Sequence, residues 1–405
     1  MIHRLEVSNF YSIWKPQVID LRVAANVPDS AGRFALTWRD AQERAPKVVA
    51  LFGPNAAGKS NVLRSLGFLS WFVSQSFLHP PEGFLPYQRF NDDEGQGSPT
   101  RLGIRFAGPA DTSKASDPAT PQCCYAYEVV LAGDKAKPQR VISETLHYWP
   151  NVAGRQVRLF ERKKDGSIRT GKSFTLAGYR SALHKILRPN ASLISTLAQL
   201  DHPLALLGRQ MATKIFSNLL MEKTETTEDI IVRYYAADPA LLQYLNREIE
   251  RVDLGIRKID IKAGSNGPVA LFEHEGLTTP LPVQLESQGT RTFIRIFPLL
   301  YSALQTGGIA VVDELDVSIH PMILPEIIRW FQDSERNPHN AQLWMTCQNA
   351  SLLEELLKEE VFFCEKDSKG RTTLYGLRDI QAVRRNDNYY RKYLGGVYGA
   401  VPHLG

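Results

Sequence analysis

Cysteine is scarce in this chain. Cys123, Cys124, Cys347 and Cys364 are the only four, too few for a disulfide framework and lacking zinc-site spacing, so they are expected to be reduced core residues. No apolar run of about 18 residues occurs, which excludes a membrane-spanning helix on sequence grounds. The opening Met1-Ile-His-Arg-Leu-Glu6 lacks the apolar segment of a signal peptide. A cytoplasmic protein with no membrane partner is therefore expected. No a/d heptad pattern persists for three or four heptads, which argues against a long coiled-coil arm. Charge of one sign is also missing: 48 Lys and Arg against 43 Asp and Glu leave a net +5, which permits nucleic-acid binding without demanding it. The remainder is an ordinary globular composition, 43% hydrophobic and 22% charged over 405 residues, enough for one elaborate domain or two smaller ones.

The most informative stretch is Gly53-Pro-Asn-Ala-Ala-Gly58-Lys59-Ser60, between the apolar run Val48-Val-Ala-Leu-Phe52 and a helical pattern. The form G-x-x-x-x-G-K-[ST] is a phosphate-binding loop, in which successive backbone N–H groups curl round phosphates. Gly53 and Gly58 allow backbone angles and a closeness of approach that a Cβ would block, and the positive end of the following helix favours an anion. Gly53, Pro54, Asn55, Ala56, Ala57, Gly58, Lys59, Ser60 and Asn61 are the expected nucleotide contacts. Lys59 would reach the β- and γ-phosphates, and Ser60 would hold Mg²⁺. A chance glycine-rich turn is the plain alternative, and the flanking strand and helix weigh against it.

Residues 2–8 alternate like a strand, and Asn9-Phe10-Tyr11-Ser12 turns the chain; residues 15–47 carry no clear pattern. Val62, Leu63, Leu66, Leu69, Phe72, Val73 and Phe77 recur at helical steps up to His79-Pro80-Pro81, a stripe read as core packing. Leu102–Phe106, Tyr125–Leu131, Val141–Tyr148 and Val157–Phe160 read as an antiparallel sheet, with polar connections at 91–99 and 108–121 that suit exposed loops. Residues 155–188 hold ten basic side chains, Arg155, Arg158, Arg162, Lys163, Lys164, Arg169, Lys172, Arg180, Lys185 and Arg188, against Glu161 and Asp165. A nucleic-acid or acidic-partner surface there competes with a solvated hairpin and helix face, and sparse aromatics favour the latter. From about 190 to 255 the pattern is helical, with Leu207, Met211, Ile215 and Leu219 on one stripe. A later helix starts at the N-cap Asp238 with Pro239 in its first turn and runs to Asp253-Leu-Gly255. Strands return at Lys258–Lys262 and Val269–Glu273.

A second group of motifs follows. The buried-strand pattern Gly308-Ile-Ala-Val-Val312 ends in Asp313-Glu314, the form of a Walker B element. Asp313 can hold the Mg²⁺ shell and Glu314 can polarise an attacking water. Ahead of it, Leu285-Glu-Ser287-Gln-Gly289-Thr290-Arg291 precedes an apolar helical pattern. This arrangement resembles the signature motif of ATP-binding-cassette ATPases. The resemblance implies that Ser287, Gly289 and Thr290 meet the γ-phosphate of a nucleotide held by a partner subunit.

The likeness extends to Asp313-Glu-Leu-Asp316-Val-Ser-Ile-His320-Pro321, Gln342-Leu-Trp-Met-Thr346-Cys-Gln348-Asn349 and Tyr393-Leu-Gly-Gly-Val-Tyr-Gly399-Ala-Val-Pro402. Together these resemble the OLD-like AAA ATPases found beside effector nucleases in bacterial anti-phage and abortive-infection loci, themselves similar to SMC and RecF heads. Nearly the whole chain is covered, including Val7-Ser-Asn9-Phe10-Tyr11-Ser12, although Tyr11 stands where that family often has arginine. The resemblance implies an α/β fold: an ABC-type P-loop ATPase head with an N-terminal antiparallel β subdomain and an inserted helical subdomain. The expected segments are 1–165 for the first ATPase lobe with the phosphate loop and antiparallel sheet, 166–256 for the helical insert, and 257–405 for the lobe with signature, Walker B, D-loop and switch. It also implies that Asp316 is the D-loop aspartate crossing a dimer interface and that Gln88 is a Q-loop residue near Mg²⁺ and water. Gln348 takes the place of the switch histidine. A glutamine can contact a γ-phosphate but cannot carry a proton as imidazole does, so slow hydrolysis follows.

The leading expectation is a Mg²⁺-dependent ATPase that forms a homodimer or higher homo-oligomer through ATP and controls a partner effector, a toxin or nuclease. A RecF-like DNA-binding ATPase is the alternative, with the 155–188 region as its contact surface. A transporter subunit is disfavoured because Gly58 and Gly289 are too far apart in sequence for a compact cassette, and GTP because no Asn-Lys-x-Asp occurs. OLD proteins proper add a Toprim nuclease domain; residues 315–405 are expected only to finish the ATPase lobe, so any nuclease would be another chain.

Overall fold

The computed structural model describes the chain except residues 30, 39–40, 115–116, 118–119, 135–136, 151–153, 220–227, 252–254, 266, 318, 320–321 and 403–405. His320 and Pro321 of the D-loop motif, part of the 108–121 connection, and the end of the helix that starts at Pro239 lie outside the described residues.

The phosphate-loop strand Val48–Phe52 lies inside a six-stranded sheet. The order is Ile215–Ser217, Ile309–Val312, Gln342–Thr346, Val48–Phe52, Val361–Lys366, Thr372–Gly376. The first five run parallel and the last is antiparallel. Val48–Phe52 is buried at every residue, as expected for a parallel strand covered on both faces. Because successive side chains of a strand point to opposite faces, Val49 and Leu51 enter one core while Val48, Ala50 and Phe52 enter another. The first core holds the helix Lys59–Gln75 and the antiparallel sheet; the second holds the helices Gln288–Thr306 and Ile323–Gln332.

The antiparallel sheet has seven strands, in the order Ile168–Thr170, Val157–Lys163, Lys137–Trp149, Gln122–Asp134, Thr100–Pro109, Ile2–Ser8, Gln17–Asp20. All four strands expected between 102 and 160 are present, lengthened and joined by the chain's first strand. The unpatterned 15–47 region supplies the edge strand Gln17–Asp20 and a small hairpin, Phe34–Leu36 with Arg44–Pro46.

Residues 166–256 do not pack as one helical unit. Leu183, Leu193, Ile194 and Leu197 join the core under the antiparallel sheet, whereas Val232, Leu241, Leu245 and Ile249 join the opposite core. Between these groups, Ile215–Ser217 pairs with Ile309–Val312. Ile215 is therefore a strand residue rather than a continuation of the Leu207–Met211 stripe, whose helix Pro203–Ala212 stops three residues earlier. Its β-branched side chain completes the sheet edge, and this outweighs the helical spacing. Asp238 caps the next helix as expected, its Oδ1 accepting from the Leu241 N–H at 3.0 Å. That helix packs on the sheet Ile256–Gly264, Gly267–His274, Leu281–Pro282.

Of the ten basic residues in 155–188, two turn inward. Arg162 is buried, 3.5 Å from Glu144 and donating to the Ala191 and Arg188 carbonyls. Arg188 donates to the Phe77 and His79 carbonyls and lies over the Phe77 ring. The other eight are exposed. Cys123, Cys347 and Cys364 are buried and Cys124 half-buried, all free.

Candidate nucleotide site

The loop between Val48–Phe52 and Lys59–Gln75 has a shape that depends on its two glycines. Gly53 has φ 145°, and a Cβ there would strike the Cys364 carbonyl. Gly58 has φ 103°, and a Cβ would strike the Thr372 and Ser12 hydroxyls. Ala56 between them is left-handed, with φ 63°. Lys59 opens the helix, and its Nζ folds over the loop, donating to the Gly53 carbonyl at 2.7 Å and the Pro54 carbonyl at 3.1 Å. It is only 7% exposed, and burial lowers its pKa while Cys364, Asp313 and Asp316 oppose the shift. Neither a capping side chain nor an acidic residue occupies the helix's first turn, so its unpaired N–H groups and dipole face the loop.

Behind the loop, Thr372 Oγ1 donates to the Ala57 carbonyl at 2.8 Å and meets Ser12 Oγ at 2.7 Å. Asn61 Nδ2 donates to the same Ser12 hydroxyl at 2.7 Å. The Val7–Ser12 motif thus braces the loop from outside. Tyr11, at the position where arginine is common in the resembling family, lies under the Arg64 guanidinium, 5.4 Å from its ring centroid. Gln88 is exposed and held through its backbone, its carbonyl accepting from the Tyr11 N–H at 2.7 Å.

Asp313 ends the strand Ile309–Val312, two strands from the phosphate loop. Its Oδ1 accepts from Ser60 Oγ at 3.0 Å and from Thr346 Oγ1 at 2.6 Å. Ser60, Asp313 and Thr346 come from three segments far apart in sequence, and the parallel order brings their oxygens to one carboxyl edge. Thr346 Oγ1 also accepts from the Glu314 N–H at 2.7 Å. Glu314 is exposed and has φ 53°, a left-handed conformation that costs a non-glycine residue on the order of 1 kcal/mol. Neighbouring hydrogen bonds must hold it there.

Asp316 is turned within its own chain: Oδ2 accepts from the Gln348 N–H at 2.7 Å and the Asn349 N–H at 2.5 Å. Within the chain these bonds tether the turn after Gln342–Thr346, while Asp316 Oδ1 is buried without a partner. Gln348 is exposed, its backbone fixed by that tether. Ser287 caps the helix Gln288–Thr306, accepting from the Thr290 N–H at 3.1 Å and meeting Thr290 Oγ1 at 2.9 Å. Ser287 is exposed, Gly289 half-buried and Thr290 buried. Among the described residues no hydrogen bond joins this helix start to the phosphate loop. The terminal Tyr393–Pro402 motif closes the fold beside the loop strand: Tyr393 Oη donates to the Ala400 carbonyl at 2.8 Å, and the Ala400 N–H donates to Glu365 at 2.5 Å.

A family described as "AAA domain, putative AbiEii toxin, Type IV TA system" matches residues 48–117 and 151–354, more than half of the chain. The chain belongs to this family. Membership gives the chain an AAA-type ATPase domain. A probable branched-chain amino acid transport ATP-binding protein, LivF of Archaeoglobus fulgidus, is 25% identical over 240 residues, 58% of this chain and 87% of the relative. Two solved SMC structures are similar at low identity. The SmcHead bound to the C-winged helix domain of ScpA has TM-score 0.48 and 12% identity, covering 93% of this chain and 97% of that one. The SMC head domain from Thermotoga maritima has TM-score 0.40 and 13% identity, covering 93% and 98%.

In this member of the AAA-domain family, three residues at the site carried no expected role. Thr346 was legible in principle, as a hydroxyl at the tip of a buried strand two residues before Gln348. Thr372, and Asn218, whose side-chain amide pairs with the Asp313 backbone, had no local signal, because each acts through a partner far away in sequence.

Proposed function

We propose that the chain binds ATP with Mg²⁺ at the Gly53–Asn61 loop, hydrolyses it slowly, and assembles with a second copy through the bound nucleotide. The observation that carries this reading is the convergence of Ser60, Asp313 and Thr346 oxygens beside a glycine cradle that a Cβ would fill. The donor set is hard oxygen, which suits Mg²⁺ completed by phosphate and water ligands. Bound there by Ser60 and Asp313, Mg²⁺ would offset phosphate charge. The helix N–H groups and Lys59 bind and orient the phosphates, for which Lys59 Nζ must leave the Gly53 and Pro54 carbonyls. Glu314 accepts the proton of the attacking water, and Gln348 orients that water or the γ-phosphate through its amide. Gln88 is the outlying candidate of the set.

Ser287, Gly289 and the helix dipole behind them would complete the site of a second copy. The exposure of Ser287 supports this, as do Leu285, 67% exposed, and Val317, 43% exposed, close in sequence to Ser287 and Asp316. The type IV toxin–antitoxin term in the family description supports control of a separate effector, a toxin or nuclease in anti-phage defence, by a cytoplasmic ATPase. Eight exposed basic side chains between 155 and 185 favour the second reading, nucleic-acid contact, and salt-dependent DNA binding would distinguish it.

Subunit mixing tests the shared site. Lys59→Ala chains and Ser287→Arg chains are each expected to be inactive, and their heterodimer keeps one composite site built wholly from intact elements, so partial activity should return. A mixture that stays dead although the chains demonstrably associate would remove the shared-site reading, unless two intact sites must fire together; a covalently linked pair with one intact site separates these.

A further inference from the structure

The strand Ile215–Ser217 pairs in parallel with Ile309–Val312, and the Asn218 N–H extends the ladder by donating to the Val311 carbonyl at 3.2 Å. There the main chain turns away and the Asn218 side chain replaces it. Oδ1 accepts from the Asp313 N–H at 2.8 Å, and Nδ2 donates to the Asp313 carbonyl at 3.1 Å. An amide carries one acceptor and paired donors, so the side chain mimics the peptide group that a longer strand would have offered.

Asn218 therefore grips both backbone polar groups of Asp313. The next residue, Glu314, is left-handed at φ 53°, and Thr346 Oγ1 takes its N–H. Three hydrogen bonds from two neighbouring strands thus hold the Asp313–Glu314 dipeptide. One side, Thr346, also touches the Asp313 carboxylate; the other, Asn218, touches only backbone.

We infer that Asn218 is a positioning residue, which fixes the backbone of Asp313 so that the Asp313 carboxylate meets Ser60 and Glu314 keeps its left-handed backbone. This rests on the ATPase reading of the site. Alanine at 218 leaves the ladder, the phosphate loop and Lys59 intact but releases the Asp313 backbone. Losing hydrogen bonds exposed to competing water should slow turnover roughly three- to tenfold, with ATP affinity within about twofold of the parent.

The experiment compares the full chain with Asn218→Ala and Asn218→Asp. The aspartate variant keeps shape and the acceptor but turns the donor into a second acceptor facing the Asp313 carbonyl, so it tests the same contact if the alanine variant folds poorly. Amide hydrogen exchange on nucleotide-free protein, read over residues 309–316, should show faster exchange confined to that segment. Steady-state kinetics should show the fall in turnover, with a higher Mg²⁺ concentration for half-maximal rate. Unchanged exchange, or changed exchange with parental turnover, overturns the assignment. So does a matched loss of ATP affinity and global stability, which would make Asn218 a fold residue. A parent chain without Mg²⁺-dependent turnover overturns the ATPase reading itself, and is recognised because no variant is involved.

Discussion

Thr346→Val removes one hydroxyl and retains shape. Thr346 is 1% exposed and lies in the central strand next to the phosphate-loop strand, so no water is at hand to replace it from the protein side. Its Oγ1 donates to Asp313 Oδ1 at 2.6 Å and accepts from the Glu314 N–H at 2.7 Å. The first bond is to a carboxylate, a class worth about 1.5–3 kcal/mol, and the second loss leaves an amide that costs about 1–3 kcal/mol if buried. Glu314 is exposed, so its amide recovers a water and the lower end applies. Valine adds no cavity, and the summed destabilisation should be about 2.5–4 kcal/mol. Catalysis should suffer more than binding: Glu314 loses a constraint on its left-handed geometry and Asp313 loses one of its two hydroxyl donors, so turnover should fall roughly tenfold to a hundredfold. Lys59 and the loop glycines are untouched, so ATP affinity should hold. Urea unfolding, nucleotide titration and initial rates on the parent, Thr346→Val and Thr346→Ser would decide this, with the serine variant recovering most of the loss. A valine variant with parental midpoint and turnover would refute the argument that this hydroxyl organises the Asp313–Glu314 turn.

Three further outcomes follow from the same geometry. Gly58→Ala should abolish nucleotide binding in a fluorescent-analogue titration, since φ 103° and the Thr372 and Ser12 hydroxyls both resist a Cβ; retained affinity would show that the loop can reshape. Gln348→His should raise turnover about tenfold or more without tightening ATP binding, because imidazole both orients water and stabilises developing charge, and an equal or slower enzyme with intact affinity would count against a rate limit at this position. The pH dependence of stability should contain two opposed slopes. Burial lowers His3 to about 3; the unfolded chain alone takes up that proton below about pH 6.5, so this group costs stability as pH falls, up to about 2 kcal/mol at pH 5. Burial raises Glu360 to about 7 despite Arg33, so the folded chain holds the extra proton and stability is lost as pH rises from about 4.5 through 7. His3→Gln should therefore flatten the acid loss and Glu360→Gln should steepen it in urea titrations between pH 5 and 8; identical pH profiles for all three proteins would exclude both assignments.

The phosphate loop was legible because everything that shapes it is contiguous: a buried strand, two glycines required by their φ angles, and a helix opening on Lys59. The same is true of Asp238, a cap whose partner Leu241 is three residues on. Such elements depend on local sterics and hydrogen bonds, which a short stretch of residues specifies. What only the tertiary structure decided is set by partners distant in sequence. Ile215 fits a helical stripe, and becomes a strand residue because the edge of Ile309–Val312 lies open beside it; Asn218 then reaches Asp313 as a consequence of that pairing. Asp316 carries no local sign that two backbone N–H groups after Thr346 satisfy one of its oxygens within the chain. Arg162 looked like one more surface charge in a basic stretch, until Glu144 on the adjacent strand gave it a buried partner. Backbone pairing and charge burial carry little local signature, because a side chain's free energy in either depends on what the fold places opposite it.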